Sequence, residues 1–342
     1  MSPYFLKRFI LIFPTLFGIT IACFLIMQAV PGGPIEQALE KIKKAQQESG
    51  QGGLQSSMTA EELENIKRYY GFDKPVLVRY FTWLGKLVQF DLGVSYTYEK
   101  PVSDVIFSRL PVSLTFGITS LLLTYLICIP LGIKKALSNR QTFDQVSSVL
   151  IFTGYSIPPF VLGVILIVLF GGGSFLNLFP ISGFVSDNFD QLAFFSKIWD
   201  VVSHMFLPVV CYTIGNFAAL SLLMKNSMME QLSQDYMRTA LAKGLSYKQA
   251  VLRHALQNSL IPIATNIGTI IGVVLSGSIF IETIFTIDGM GLLGYESIVN
   301  RDYPVALGII VISSLLFLVG RIISDFCIVV VDPRIRLGGR SV

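Results

Sequence analysis

Charge disappears from this chain in long blocks. No Asp, Glu, Lys or Arg falls between Arg8 and Glu36, from Leu110 to Ile133, from Gln145 to Ser186, from Val201 to Met224 or from Ala255 to Ile281. A further block, Tyr303 to Val331, is apolar apart from Arg321 and Asp325. A helix crossing a hydrocarbon layer of roughly 30 Å needs about 20 mostly apolar residues. The pattern therefore predicts an all-α integral membrane protein with six transmembrane helices. Their expected spans are Phe9–Val30, Val112–Ile133, Val146–Phe170, Val201–Met224, Ile263–Phe285 and Val305–Val331. Pro130, Pro158, Pro159 and Pro208 lie within spans and are expected to kink them, because proline removes a backbone donor and clashes with the preceding turn. Residues 1–30 then form the first transmembrane helix and 31–108 an external loop region with short helices. Residues 109–334 form a core of five helices with a hydrophilic loop at 225–262, and 335–342 a tail.

Composition agrees and charge placement adds orientation. Of 342 residues 52% are apolar and 14% charged, against about a quarter charged in soluble domains. Lys7, Arg8, Lys134, Lys135, Arg140, Lys225, Arg238, Lys243, Lys248, Arg253, Arg334, Arg336 and Arg340 share one side of the predicted topology, whereas the two short loops opposite hold only Lys197 and Arg301. The positive-inside rule makes both termini cytoplasmic. The apolar stretch Phe9–Val30 exceeds a signal-peptide core and no A-x-A site follows it, so it is expected to remain as a helix. Cys23, Cys128, Cys211 and Cys327 each lie in an apolar span without metal-ligand spacing and are expected to act as small buried hydrophobes.

The external segment has two parts. Glu40 to Ser57 is rich in Lys, Gln, Gly and Ser, as in a solvated helix running into a linker. Thr59 and Glu62 have capping-box spacing, and Gly71 is placed to end a short helix from about Ala60 to Tyr70. Tyr80, Phe81, Trp83 and Phe90 suit a membrane interface. An external docking cap and a plain connector are both open here.

The longest hydrophilic stretch on the basic side runs from Lys225 to Pro262. Within it, helix formers continue from Asp235 to Lys243, and Gly244 stands where a glycine stops a helix. Ser246 restarts a helix with Gln249 three residues on as capping-box partner. This predicts a helix–turn–helix elbow outside the membrane, with its first arm continuing the fourth span.

These residues carry a resemblance. The elbow is similar to the coupling loop of ATP-binding-cassette (ABC) importer permeases, whose pattern is Glu-Ala-Ala, three residues, then Gly. This chain has Arg238, Thr239, Ala240 and Gly244 there, so only the last Ala and the Gly match. The proline usual further on is Gln257 here, yet Asp235-Tyr236, Arg238-Thr239-Ala240, Ala242-Lys243-Gly244-Leu245, Arg253-His254-Ala255-Leu256 and Pro262 resemble the peptide/nickel permease branch closely. So do Gly71-Phe-Asp-Lys-Pro75, Asp91-Leu-Gly-Val-Ser95, Arg109-Leu-Pro111, Ile157-Pro158, Gly277-Ser278, Glu282-Thr283, Gly289-Met-Gly291, Arg301-Asp-Tyr-Pro304 and Asp332-Pro-Arg334. Pro31-Gly-Gly-Pro34, Lys225-Asn-Ser227, Asn188-Phe-Asp190 and Gly291-Leu-Leu-Gly-Tyr-Glu296 resemble a subgroup linked to oligopeptides and the peptide antibiotic microcin C.

The resemblance implies the type I importer permease fold in a bacterial inner membrane. Its implied partners are a second permease, two ABC ATPase subunits, an external substrate-binding protein, a peptide substrate and membrane lipid, with no nucleic acid. It implies ATPase coupling through Asp235, Arg238, Thr239, Ala240, Lys243, Gly244, Leu245 and Ser246. Nickel or another small solute is the alternative cargo within the family.

The remaining residues narrow the chemistry. No G-x-x-x-x-G-K-[ST] loop occurs, so ATP hydrolysis is expected on separate subunits and no cofactor is expected in this chain. His204 and His254 are read as isolated, without metal-ligand neighbours. No Ser/His/Asp constellation suggests an enzyme. Charges inside spans mark a pathway, a pair or a helix end. Glu282, near the end of the fifth span, is a candidate gate residue or an interfacial helix end. Arg321 and Asp325, one turn apart, are a candidate local ion pair or part of a translocation path. An ion-gradient-driven transporter is the rival class, but no internal repeat is evident.

Overall fold

The computed structural model describes residues 2–29, 74–173, 175–275 and 277–331. The expected linker at Glu40–Ser57 and helix at Ala60–Tyr70 lie outside them. The described residues are helical, with two isolated bridges and no extended strand among them. In chain order the helices are α1 (Ser2–Ala29), α2 (Val76–Val88), α3 (Val102–Leu137), α4 (Thr142–Ser156), α5 (Pro159–Phe170) and α6 (Phe194–Leu232). They continue with α7 (Asp235–Ala242), α8 (Tyr247–Ala250), α9 (Leu256–Leu275), α10 (Ile279–Ile284), α11 (Met290–Val299) and α12 (Tyr303–Val331). Four helices among the described residues, α1, α3, α6 and α12, are long and apolar enough to cross a membrane, and α4 with α5 makes a fifth if that bent pair is one span.

Three expectations need correction. The span drawn through Val146–Phe170 is not a kinked rod: α4 and α5 meet at 95° across Ile157-Pro158. Two consecutive prolines explain the break, since a residue before proline is driven out of the helical region. Ile157 (ψ 118) and Pro158 (ψ 138) are both extended. The span drawn through Ile263–Phe285 is also divided. Its helix α9 starts earlier and ends at Leu275, Gly277 turns the chain at φ +79°, and Ser278 caps a separate α10. Finally, α6 ends at Leu232 and does not run into the elbow.

The chain divides into two compact units. The first comprises Met1–Ile12, Arg109–Leu292 and Ser313–Val342. Helix α6 is its spine, packing on α4, α5 and α9. One apolar cluster gathers Cys128, Leu220, Met224 and Met228; another gathers Phe116, Leu207, Cys211, Phe285 and Ile287. All four cysteines are free thiols, with Cys128 and Cys211 buried.

Small residues set the closest helix approaches, as is usual between membrane helices. A Cβ on Gly132 of α3 would lie 2.6 Å from Met224 Cβ and 2.9 Å from the Ser221 carbonyl oxygen of α6. Gly132→Val is therefore expected to lower the thermal midpoint of the purified protein. Overpacking of this kind costs about 1–3 kcal/mol, and an unchanged midpoint would show that α3 can yield.

The second unit comprises Phe13–Ser108 and Leu293–Ile312. Tyr80 of α2 is buried, shares a hydrogen bond with the Thr20 hydroxyl at 3.0 Å and meets Phe24 edge-on. The Asp302 carboxylate captures the loop before α3, accepting from the Ser95 hydroxyl and from the backbone N–H groups of Tyr96 (3.2 Å) and Thr97 (3.0 Å).

Candidate functional site

The elbow is built as a stop and a restart. Helix α7 closes in a Schellman motif: Gly244 N–H donates to the Leu241 carbonyl at 2.9 Å, and Leu245 N–H to the Ala240 carbonyl at 3.3 Å. Gly244 takes φ +88°, which L residues adopt at a cost. Leu245 packs against the apolar cluster that contains Ala240, in keeping with the apolar contact that accompanies this motif. Ser246 then caps α8, its Oγ accepting from Gln249 N–H at 3.4 Å. Gln249 Oε1 accepts in return from Ser246 N–H at 3.1 Å. Both halves of the expected capping box are present.

Continuity with a long helix is supplied by the second arm. From α8 the chain passes through a π turn, Val251–Ala255, directly into α9. The elbow is thus continuous with the helix after it, whereas at its other end Ser233 and Gln234 separate α7 from α6.

One face of the elbow is fixed and the other is presented. Met237, Ala240, Ala250, Val251 and Ala255 are buried with Met224 and Met228 of α6. The Tyr236 hydroxyl donates to Gln231 Oε1 at 2.8 Å and accepts from Asn258 Nδ2 at 3.3 Å, bridging α6 and α9. Asp235, Arg238, Thr239, Lys243, Gly244 and Ser246 are exposed. Arg238 reaches Asp235 at 3.6 Å, an exposed pair of little energetic weight. Leu241, Tyr247 and Leu252 are exposed on the same elbow, beside Lys248 and Arg253.

Sequence reasoning named the turn and its basic residues but missed the anchors Tyr236, Met237, Ala250 and Val251. Met237 and Ala240, three apart in α7, were the available signal.

The intramembrane charges are placed as follows. Glu282 in α10 is 1% exposed and surrounded by donors. Its Oε1 accepts from Ser278 N–H (3.1 Å), the Ser113 hydroxyl (3.1 Å) and the Tyr212 hydroxyl (3.2 Å). Its Oε2 accepts from Leu292 N–H at 2.8 Å. Ser113 itself accepts from Met290 N–H at 2.7 Å, so its proton points to the carboxylate. Glycines make room: a Cβ on Gly277 would strike Glu282 Oε1, and one on Gly289 would come within 2.6 Å of Glu282 Oε2.

Asp325 of α12 forms an ion pair with Arg8 of α1, Nε to Oδ2 at 3.1 Å. The Arg321 guanidinium lies 5.6 Å from the Phe317 ring centroid. The elbow, Glu282 and the Arg8–Asp325 pair are three separate places within the first unit. His204, read from the sequence as isolated, is not: its Nδ1 lies 2.8 Å from the Asp200 carbonyl oxygen and 3.6 Å from Asp200 Oδ1. One helical turn makes that spacing. Asp200 in turn accepts from the Ser186 N–H at 2.9 Å, so the cluster ties a loop to the start of α6.

Known proteins share this chain from end to end. It is 41% identical to the inner membrane ABC transporter permease protein YejB of Escherichia coli O157:H7, over 99% of this chain and 100% of that one. It is 40% identical to the peptidoglycan transport system permease protein YejB of Agrobacterium fabrum, over the full length of both. It is 35% identical to the oligopeptide transport system permease protein AppB of Bacillus subtilis, over 98% of this chain and 100% of the other. Residues 128–337, which hold the elbow, α9 and Glu282, match the family described as binding-protein-dependent transport system inner membrane component. With its apolar helices and its exposed elbow, the chain belongs to that family of multi-pass inner membrane permeases.

Proposed function

We propose that this chain is one of two permease subunits of an ABC importer for peptides, and that the Asp235–Ser246 elbow is where ATPase movement enters it. The observation carrying this reading is the two-faced elbow, anchored by Met237, Ala240 and Val251 and presenting Arg238, Leu241, Lys243 and Tyr247 outward. An exposed surface that mixes apolar and basic side chains around a rigid turn suits docking to another protein. Six membrane-crossing segments, with both termini and the elbow on the cytoplasmic side, fit the charge asymmetry. The bent pair α4–α5 and the divided segment α9–α10 each count as one of the six. Residues 109–334 form the permease core, and 31–108 an external region available to a substrate-binding protein. Peptide is the favoured cargo because relatives named for oligopeptides and dipeptides share the chain over nearly its whole length; peptides of the microcin C type fall within that class. ATP would be hydrolysed on two separate subunits, with transport proceeding by two-state rocking of the helices.

The test has two arms. Protein purified in mild detergent from its native membrane is expected to bring ATP-binding subunits with it. Cells lacking only this gene are expected to lose uptake of labelled short peptides and to regain it on complementation. Recovery without any ATP-binding partner would remove the importer assignment. Unchanged peptide uptake would remove the cargo and leave the permease.

A further inference from the structure

Three helices of the first unit meet at a buried cluster of charge away from the elbow turn. Lys135, in the last turn of α3, is 2% exposed, and Asp144, in the first turn of α4, is 5% exposed. The Lys135 ammonium lies 3.4 Å from Asp144 Oδ1 and donates to the Asp144 carbonyl (3.2 Å), Ser147 Oγ (3.0 Å) and Ser148 Oγ (2.6 Å). Lys225 of α6 donates to both carboxylate oxygens, at 2.8 and 2.7 Å. Arg140 N–H adds a fourth group, reaching Oδ2 at 3.1 Å. One carboxylate therefore holds the α3–α4 turn and α6 together.

The placement of Lys225 gives the cluster its meaning. Its neighbour Met224 and, one turn on, Met228 pack against Met237, Ala240, Ala250 and Val251 of the elbow. On this stretch α6 meets the elbow on one face and the α3–α4 turn on another. Apolar contacts can slide, but a buried carboxylate bonded by two ammonium groups is directional and penalises separation.

We propose that the Lys135–Asp144–Lys225 knot is a positioning element that carries displacement of the elbow from α6 into the α3–α4 turn; this rests on the importer reading above. Lys225 is the informative position. Its removal leaves Lys135 paired one-to-one with Asp144, so the α3–α4 turn keeps its own ties and only the link to α6 is lost.

The complete complex, with ATPases and binding protein, is reconstituted in vesicles, and peptide uptake and ATP hydrolysis are both measured. Lys225→Met is expected to leave hydrolysis near wild type while peptide carried per ATP falls about tenfold, within the usual range of coupling between sites. Lys225→Arg, which restores a charged donor to Asp144, is expected to recover uptake per ATP. Should Lys225→Met not insert, Lys225→Gln is measured in the same way, because it removes the second ammonium, keeps a polar side chain beside Asp144 and leaves the Lys135–Asp144 pair intact. Unchanged uptake per ATP, a parallel fall of uptake and hydrolysis, or failure of both variants to insert would each overturn the proposal and leave the knot a folding element. A wild-type complex that hydrolyses no ATP would instead overturn the importer reading.

Discussion

Gly244→Val is expected to leave the permease inserted and abundant, to leave ATP hydrolysis by the assembled complex running, and to abolish most peptide uptake. No heavy atom lies within 4 Å of the position a Cβ would take at Gly244, so the new side chain meets no obstacle. The penalty is in the backbone. At φ +88° an L residue is strained, by about 1–2 kcal/mol in the left-handed region and more for a β-branched side chain. That is too little to unfold a membrane domain, but enough to open the Schellman turn whose bonds are made by Gly244 and Leu245. The elbow would then relax at the one point where its two arms are held at a fixed angle. Gly244→Asn, which tolerates positive φ, is expected to retain most uptake. Gly244→Asp should fall between them, since it tolerates the turn but adds an anion at a helix C-terminus. Labelled-peptide uptake, membrane content and ATPase activity of the three variants give the comparison. Wild-type transport by the valine variant would remove the coupling role of this turn.

The second large effect is expected at Glu282. Glu282→Gln keeps one acceptor oxygen, which can still serve Ser278, Ser113 and Tyr212, but it turns an amide NH2 toward the Leu292 N–H that Oε2 now accepts. Two donors would face each other in a site 1% exposed. Leaving a buried polar group unsatisfied costs about 1–3 kcal/mol, so a lower thermal midpoint and reduced membrane content are expected. Glu282→Ala removes every acceptor at once and leaves a void beside Gly277 and Gly289. Its loss should exceed that of the glutamine variant. The comparison separates two roles. If Glu282 lines the path, the glutamine variant would keep wild-type stability and change the preference for charged peptides. If it acts on a gate by clamping Gly277–Leu292 in place, stability and transport fall together.

Much of the fold was legible because membrane burial forbids charge, and each block free of Asp, Glu, Lys and Arg overlaps a long helix or a pair, although Gln145–Ser186 runs on past the end of α5 at Phe170. The elbow was legible for a different reason. Gly244 and the Ser246/Gln249 pair act through local backbone geometry, which neighbouring residues determine. The misreadings share a cause. Whether Pro158-Pro159 bends a helix or breaks it depends on what the two halves pack against, and no local signal carries that. Nothing in Ser233-Gln234 distinguishes an end from a continuation, since neither residue is Gly or Pro. The ties that organise the first unit join residues far apart in sequence: Lys225 to Asp144 across 81 positions, Ser113 to Glu282 across 169, Arg8 to Asp325 across 317. Periodicity cannot reveal these, because it reads one element at a time.

The π turn at Val251–Ala255 has a consequence for how this protein tolerates change. The buried positions of this stretch are Ala250, Val251, Ala255, Ser259 and Ile263; across the π turn Ala250 and Ala255 are both buried though five apart, and Ser259 and Ile263 follow at four and four. An unbroken α-helix would not keep Ala250 on that line, because each residue turns the chain by about 100°. The face the elbow offers is therefore set by how many residues stand in this stretch, more than by which ones. Substituting exposed Leu252 or Arg253 alters the surface locally. Deleting one of them would let the ladder close as an ordinary helix and swing the whole elbow about its axis, so that a partner would meet a different side of the same sequence. Here the chain is sensitive to arithmetic, and a missing residue is a larger mutation than a changed one.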